Sequence, residues 1–475
     1  MERILTTEQM RAADRYTIDV LGISEEELVN RAGLAIAEEI KKRFRGGRVL
    51  VCIGKGNNGA DGKVVAEILS KTHGFSVCTL NVINGFFKVF ENKFDIIIDC
   101  IFGVGLNREI DGKFKTAIEK INASGAYVVA CDIPSGICGN TGKVMGIAVK
   151  ANLTIAIQEY KLGHFVNNGI DYSGELVVKD IGISIWGDDF IKRLTLDSAK
   201  MFFKQRNRAV HKGCFGKTAV IGGSKDYTGS VILSANALCA MKMGVGYVNL
   251  VVPENLFSAY VGKVPECLLS SFSDEIADYS NLNKILDYDS IAVGMGMGVS
   301  ENTYALIEFL LKNYTKNLII DADGLNSLAK FGLDIIKYKK CNVVLTPHIG
   351  EFSRLINLDK SQILIDSISL SQKFAKQYGI VLVLKNAVSV ITDGTETYLN
   401  TTGCSGMSKA GSGDVLSGII AGLLARNAET TQAVATACYV FGIAGQMAEA
   451  EQNEFTMTAT DIIKALPKAI NDLIK

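Results

Sequence analysis

Apolar residues fall along this chain in two alternating rhythms. One has helical spacing, as in ELVNRAGLAIAEEIKKRF (27–44), where apolar positions recur every three or four residues behind Ser24 and Glu27. That pair makes a capping-box pattern, and residues 1–45 read as helical throughout. The other rhythm is a short uninterrupted apolar run closed by Gly or Asp. RVLVCIG (48–54), SVCTLNVI (76–83), FDIIIDC (94–100) and AYVVACDI (126–133) are of this kind. Helical stretches such as DGKVVAEILS and GKFKTAIEKINAS stand between them. Continuous apolar strands alternating with helices predict a parallel α/β sheet covered on both faces.

A second block repeats the alternation without repeating the sequence. After the basic QRNRAVHKG (205–213) come KTAVIGGS, a helical SANALCAMKMG (234–244), GYVNLVVP, SIAVGMGMG, NLIIDADGLN, NVVLTPH and IVLVLKN. Helices run from there to the end. The chain is therefore expected to be a two-domain α/β protein, 1–203 and 204–475.

Composition narrows the class. Fifty basic residues balance fifty acidic ones, so no global field recruits nucleic acid or an anionic membrane. The eleven cysteines form no CxxC pair or Cys/His cluster, and several sit in strand-like runs as small hydrophobes. That argues for a reducing compartment. MERILTTEQMRAADRY has no apolar signal region, and the longest apolar run (about 415–425) is too short to span a bilayer. A cytoplasmic protein is expected.

The first block carries loaded loops at three predicted strand ends. GKGNNGADG (54–62) adds Asn57, Asn58 and Asp61 to a Gly-rich strand-to-helix turn. Asp99 is followed by a Gly loop at 103–105, and Asp132 and Ser135 lie in VVACDIPSG. In open parallel sheets, ligands bind at these ends. One such loop alone is more often structural packing. Asn58, Asp99 and Ser135 also form an all-oxygen set suited to a hard cation.

These segments, with NRAG at 30–33, resemble the N-terminal domain of NAD(P)H-hydrate epimerases, over most of residues 1–200. The resemblance implies a Rossmann-like three-layer α/β/α fold and epimerisation at C6 of hydrated nicotinamide, NADHX or NADPHX. It implies substrate contacts from Asn57, Asn58, Gly59, Ala60 and Asp61, and from Gly103, Val104, Gly105 and Leu106. Asn107, Arg108 and Glu109 continue that second loop. Potassium would be held by Asn58, Asp99 and Ser135, and Asp132 matches a substrate-contacting carboxylate, here expected to transfer the proton.

In the second block AGSGD (410–414) precedes the apolar VLSGIIAGLL. Glycine lets the backbone approach a ligand, and a helix starting here would offer free N–H groups to an anion. A carboxylate, Asp414, sits at the same spot. A base beside an anion hole is what phosphoryl transfer to an alcohol needs. The plainer alternative is an N-capping Asp. His348 and Glu351 in TPHIGE, Asp321 and Asp323 in IDADGLN, Lys385 in LKNAVSVITDG and the loop ending at Gly298 are further candidates.

Together with HKGxxG and GGSxxYTGS, these motifs resemble the ribokinase-like domain of ADP-dependent NAD(P)H-hydrate dehydratases over 205–470. The resemblance implies ADP on Lys385, Asn386, Ala387, Val388, Ser389 and Gly413. It places the hydrated nicotinamide near Ser230, Gly298, His348 and Asp414, and phosphoryl transfer adds Mg2+ as the nucleotide's counter-ion. The partners expected are NADHX or NADPHX and ADP, with no nucleic acid and no membrane. SGIIAGLL, with its small residues, would suit packing in a homo-oligomer. The residues leave ADP against ATP open. A vitamin-precursor or sugar kinase is the alternative, although it leaves the first block without a task.

Overall fold

The computed structural model describes residues 1–236, 242–273, 279–426 and 430–474. Two compact units divide the chain between Phe190 and Ile191, with Met1 grouped with the second. The division falls ahead of the 203/204 position expected from sequence. Ile191–Arg193 pairs with Thr397–Asn400, and Leu196–Lys200 packs on the last helix, Ala459–Ile474, so this stretch is held by the second unit.

The strands of the first unit are β1 (Glu2–Leu5), β2 (Gly47–Ile53), β3 (Phe75–Asn81), β4 (Ile96–Cys100), β5 (Tyr127–Cys131), β6 (Leu153–Ile157), β7 (Tyr160–Lys161) and β8 (Glu175–Lys179). Six form one parallel sheet in the order β3-β2-β4-β5-β6-β8. Alternate residues leave opposite faces. Val49, Val51, Ile96 and Ile98 meet Ile36, Ile40, Val65 and Leu69 on one side. Leu50, Ile97, Ile118 and Ile121 pack on the other, which makes three layers. Order reverses between β2 and β4, so the crevice at the switch point lies between the loops after these two strands.

The N-terminus departs from the all-helical expectation. Glu2–Leu5 is a strand paired with β7, and a Thr6–Gln9 capping box then starts the helix Thr7–Asp19. Ser24 caps the helix Glu25–Arg43 as expected. Glu27 turns to Arg31 one turn on, so only the Ser24 half of the expected box forms.

In the second unit the strands are β9 (Ile191–Arg193), β10 (Lys217–Ile221), β11 (Tyr247–Pro253), β12 (Leu268–Phe272), β13 (Ser290–Val293), β14 (Asn317–Ile320), β15 (Asn342–Leu345), β16 (Val381–Leu384), β17 (Ser389–Thr392) and β18 (Thr397–Asn400). The sheet runs β12-β11-β10-β13-β14-β15-β16-β17-β18-β9, parallel from β12 to β16 and antiparallel from β16 to β18. The helix expected over 234–244 begins earlier, as Thr228–Ala235, and residues 237–241 lie outside the described ones. Ser412–Leu424 is buried along almost its whole length, against Thr228–Ala235 and Thr430–Glu451. Its small residues therefore serve packing within the unit, which removes the sequence argument for subunit contact. Cys52, Cys100 and Cys131 are free and buried in strands, as their apolar surroundings imply. Among the described residues no helix is long and apolar enough to cross a membrane.

Candidate functional site

A cleft of about 790 Å³ opens in the first unit at the β2/β4 switch point. Asn57, Asn58 and Asp61 line it from one loop, Gly103 to Arg108 from the other, and Asp132 from the end of β5. Gly59, Ala60 and Glu109, expected as substrate contacts, do not line it. Gly59 answers to packing instead, since a Cβ there would lie 2.2 Å from the Gly54 carbonyl oxygen. The helix Asn57–Ser70 begins at Gly56 with no side-chain cap, leaving first-turn N–H groups for an anion.

Asp132 is held in a conformation few side chains adopt, with φ 67°. Its Oδ1 accepts from the ammonium of Lys161 and from the Ile157 N–H at 3.1 Å. Lys161 is 1% exposed and donates also to the Ile157 carbonyl at 2.5 Å. A buried ammonium persists only when paired and hydrogen-bonded in this way. His164 backs the pair. Burial first, then the Lys161 charge, lowers it to about 4, so the ring is neutral. Its Nδ1 accepts from the Lys161 N–H at 3.1 Å, which leaves Nε2 to donate to the Asp132 carbonyl at 2.8 Å.

Lys161, Asp14 and Glu25 also line the cleft, and sequence reasoning missed all three. The signal for Lys161 was a lone lysine between apolar TIAI and an aromatic-rich turn. Burial raises Asp61 to about 8, helped by the charges of Asp132 and Asp14. Asp14 rises to about 6, again first by burial. Three carboxyl groups thus lie around one buried cation, and burial raises Asp61 further than Asp14.

Behind the cleft wall, Asp99 is fully buried and raised to about 6 by that burial, against hydrogen bonds that favour its charge. It accepts from Ser135 Oγ at 2.7 Å, the Ser135 N–H at 2.8 Å and the Ile101 N–H at 3.2 Å. Asn58 Nδ2 donates to the Phe102 carbonyl at 2.8 Å, while its Oδ1 is buried with no hydrogen-bond partner. An orphaned acceptor beside a carboxylate, a hydroxyl and a carbonyl is a donor set that fits a hard cation.

The second unit gathers its candidates at the C-terminal ends of β14, β15 and β16. Gly411 starts the helix Ser412–Leu424 without a side-chain cap, so Asp414 lies inside the first turn and is not the N-cap. Burial raises Asp414 to about 7, with the Asp321 charge adding to it and Lys385 and a Ser230 hydrogen bond opposing. Asp321 accepts from Lys385 Nζ at 2.9 Å and from Ser417 Oγ at 2.6 Å. Burial opposes the charge of Lys385, yet Asp321, Glu351 and Asp414 hold its pKa above the usual range. A Cβ at Gly413 would stand 3.2 Å from Lys385 Nζ, so the lysine reaches the Gly loop itself.

His348 bridges to Lys385 across the strand ends. It also caps a helix: Nδ1 accepts from the Gly350 and Glu351 N–H groups at 2.9 and 3.2 Å. Glu351 returns the contact to the His348 N–H at 2.9 Å, and burial raises it to about 7. The ring is half exposed, with Nε2 3.5 Å from Glu351 Oε1. Gly298, at φ 78°, donates to Asp323 at 2.9 Å. Of the expected nucleotide turn, Asn386 and Ala387 are exposed and Val388 is buried, so Val388 can offer only backbone. No group of three or more His, Cys, Asp or Glu residues forms a metal cage among the described residues.

A model described as NAD(P)H-hydrate dehydratase matches residues 218–468, and one described as YjeF-related protein N-terminus matches 25–89 and 81–163. A relative from Thermofilum pendens, named bifunctional NAD(P)H-hydrate repair enzyme Nnr, is 32% identical over 99% of this chain and 97% of its own length. One of the same name from Dictyoglomus turgidum is 31% identical over 100% and 99%. The chain belongs to the family of bifunctional NAD(P)H-hydrate repair enzymes. It is an enzyme, and the kinase alternative loses its main support. Among solved structures it is similar to the ADP/ATP-dependent NAD(P)H-hydrate dehydratase of Bacillus subtilis co-crystallised with ATP/Mg2+, with a TM-score of 0.52 and 26% identity. The match covers 60% of this chain and 99% of that one. A ribokinase-like superfamily protein from Enterococcus faecalis gives 0.52 at 25% identity, over 61% and 99%. The ribokinase-like expectation for the second unit therefore holds.

Proposed function

We propose that the first unit interconverts the C6 epimers of hydrated NADH or NADPH and that the second dehydrates one epimer at the expense of ADP. The observation that carries the dehydratase reading is Asp414, a carboxylate raised to about 7 inside an uncapped helix turn beside Lys385. A base titrating near neutrality removes the C6 hydroxyl proton as that oxygen attacks the β-phosphorus of ADP. AMP leaves. The ring nitrogen's electron pair then expels phosphate, and loss of a C5 proton restores the dihydronicotinamide. First-turn N–H groups and Lys385 meet the charge on the transferred group. Magnesium would serve as the nucleotide's counter-ion, and Asp321 and Asp323, whose charges act on Asp414, are the carboxylates that would hold it.

In the first unit Asp132, paired with Lys161, is the proton acceptor, while Asp61 retains its proton to about pH 8 and can donate. Asn58, Asp99 and Ser135 are the proposed potassium ligands, supported by the orphaned Asn58 oxygen. The decisive experiment incubates the full chain with chemically hydrated NADH and ADP. Return of the reduced nicotinamide's near-ultraviolet absorbance is expected, with AMP and phosphate released in equal amounts. Hydrate left unchanged would falsify the reading. Exchanging potassium for a bulky organic cation should slow epimer exchange and leave dehydration unaffected.

A further inference from the structure

A second cavity, of about 320 Å³, lies in the second unit between the loop after β10 and the loop after β13. Neither Asp414 nor Lys385 lines it. Its walls nevertheless continue the reacting site. The Gly223 N–H donates to the Met295 carbonyl at 2.9 Å, which ties the two loops together. Met297 lines the cavity immediately before Gly298, and Thr303, also lining it, donates to the Gly298 carbonyl at 2.8 Å. The floor is apolar, from Leu256, Phe272 and Tyr279, and the rim carries Asn255 and Lys225. Lys225 is exposed and forms no salt bridge among the described residues. The volume lies at the small end of about 300–1,000 Å³ typical of small-molecule pockets. An apolar floor, a polar rim and a cation without a salt bridge among the described residues match a nucleoside with a phosphate at its mouth.

We propose that this cavity holds the adenosine half of the hydrated dinucleotide, with Lys225 beside its phosphates. The inference rests on the proposed dehydratase activity and adds to it where the remote binding energy is collected. Binding of a non-reacting part of the substrate is what lets an enzyme position the reacting part.

The test compares hydrated NADH with hydrated NMNH, which has the same ring and no adenosine half. Wild-type enzyme should prefer the dinucleotide by about tenfold or more in kcat/KM. Asn255→Trp, which fills the cavity from an exposed rim position, should shrink that preference to about twofold, with the KM for ADP reporting an intact fold. Lys225→Glu, which changes charge without filling space, should raise the KM for hydrated NADH about fivefold, and more at low salt. Equal efficiency of wild-type enzyme on both hydrates overturns this inference alone, as does a loss in Asn255→Trp that is the same for both. Turnover of neither hydrate by wild-type enzyme overturns the dehydratase reading itself, and this inference with it.

Discussion

The Lys161 ammonium donates to Asp132 Oδ1 from a position 1% exposed, and Asp132 itself holds a backbone φ of 67°. A strained residue with a buried counter-ion is over-determined by its surroundings, and such strain collects at functional sites. Removing the cation leaves the carboxylate uncompensated. Lys161→Met is therefore expected to lose epimerisation and about 3–5 kcal/mol of stability in the first unit. Denaturant unfolding and an epimer-exchange assay read the two effects. Lys161→Met with Asp132→Asn should regain stability without regaining activity. An unstable double variant would count against the ion-pair account.

Asp414 joins a carboxyl raised to about 7 to the uncapped first turn of Ser412–Leu424. Asp414→Asn should lower ADP-dependent dehydration by about 10²–10⁴-fold and leave epimer exchange near wild type. The pH dependence follows from the same group. Its pKa is raised from 3.8 to about 7, so the proton stays on as pH falls below neutrality and the base form is lost. Wild-type kcat/KM for dehydration should rise with pH through about 7 and level off above. An acid limb near the ordinary carboxylate value would remove Asp414 as the base.

The parallel strands were legible because both faces of each sheet are covered, which forces continuous apolar runs that periodicity alone detects. The AGSGD loop was legible through its company, since a Gly-rich turn alone has plain structural uses and only the accompanying motifs narrow them. Lys161 was not. Its partner Asp132 lies 29 residues earlier, after β5, and the pairing of β5 with β6 brings the two side chains together. The compact units divide ahead of 203/204 for a related reason, because Ile191–Arg193 is short and half-buried, and its allegiance is set by β18 rather than by its own pattern. His348 carried a signal that supported two answers. It caps a helix through Nδ1, which is the structural answer, and its half-exposed ring is why the binding answer stays a proposal.

Asp61 sets stability against chemistry. An unfolded chain ionises this carboxyl near 3.8, whereas the folded one keeps its proton to about 8. Below the lower value both states are protonated and nothing is lost. As pH rises from there to about 8, folding carries an increasing cost, because the folded state must hold a proton or bury a charge. Asp61→Asn has neither burden. It should stabilise the first unit by about 1–3 kcal/mol near pH 8 and by almost nothing near pH 4. Thermal denaturation at the two pH values measures the difference. A variant equally stabilised at both would show that packing, not charge, is responsible.

The final expectation concerns why both activities share a chain. Hydration of NADH gives two C6 epimers, and a stereospecific dehydratase consumes only one. Asp132 lines the epimerase cleft, and its Oδ2 lies 3.6 Å from the position a Cβ would take at Gly103, in the facing loop. An amide there could still accept from Lys161 and hold the substrate, but it could not take up a proton. Asp132→Asn should bind hydrate with nearly unchanged affinity and fail to exchange its epimers. Given a mixed R/S sample with ADP, the variant should rapidly convert the S fraction and then stall at the rate of spontaneous epimerisation. Wild-type enzyme should run to completion. A variant that also finishes at the wild-type rate would take Asp132 out of the proton transfer and leave Asp61 or Asp14 as the groups to test.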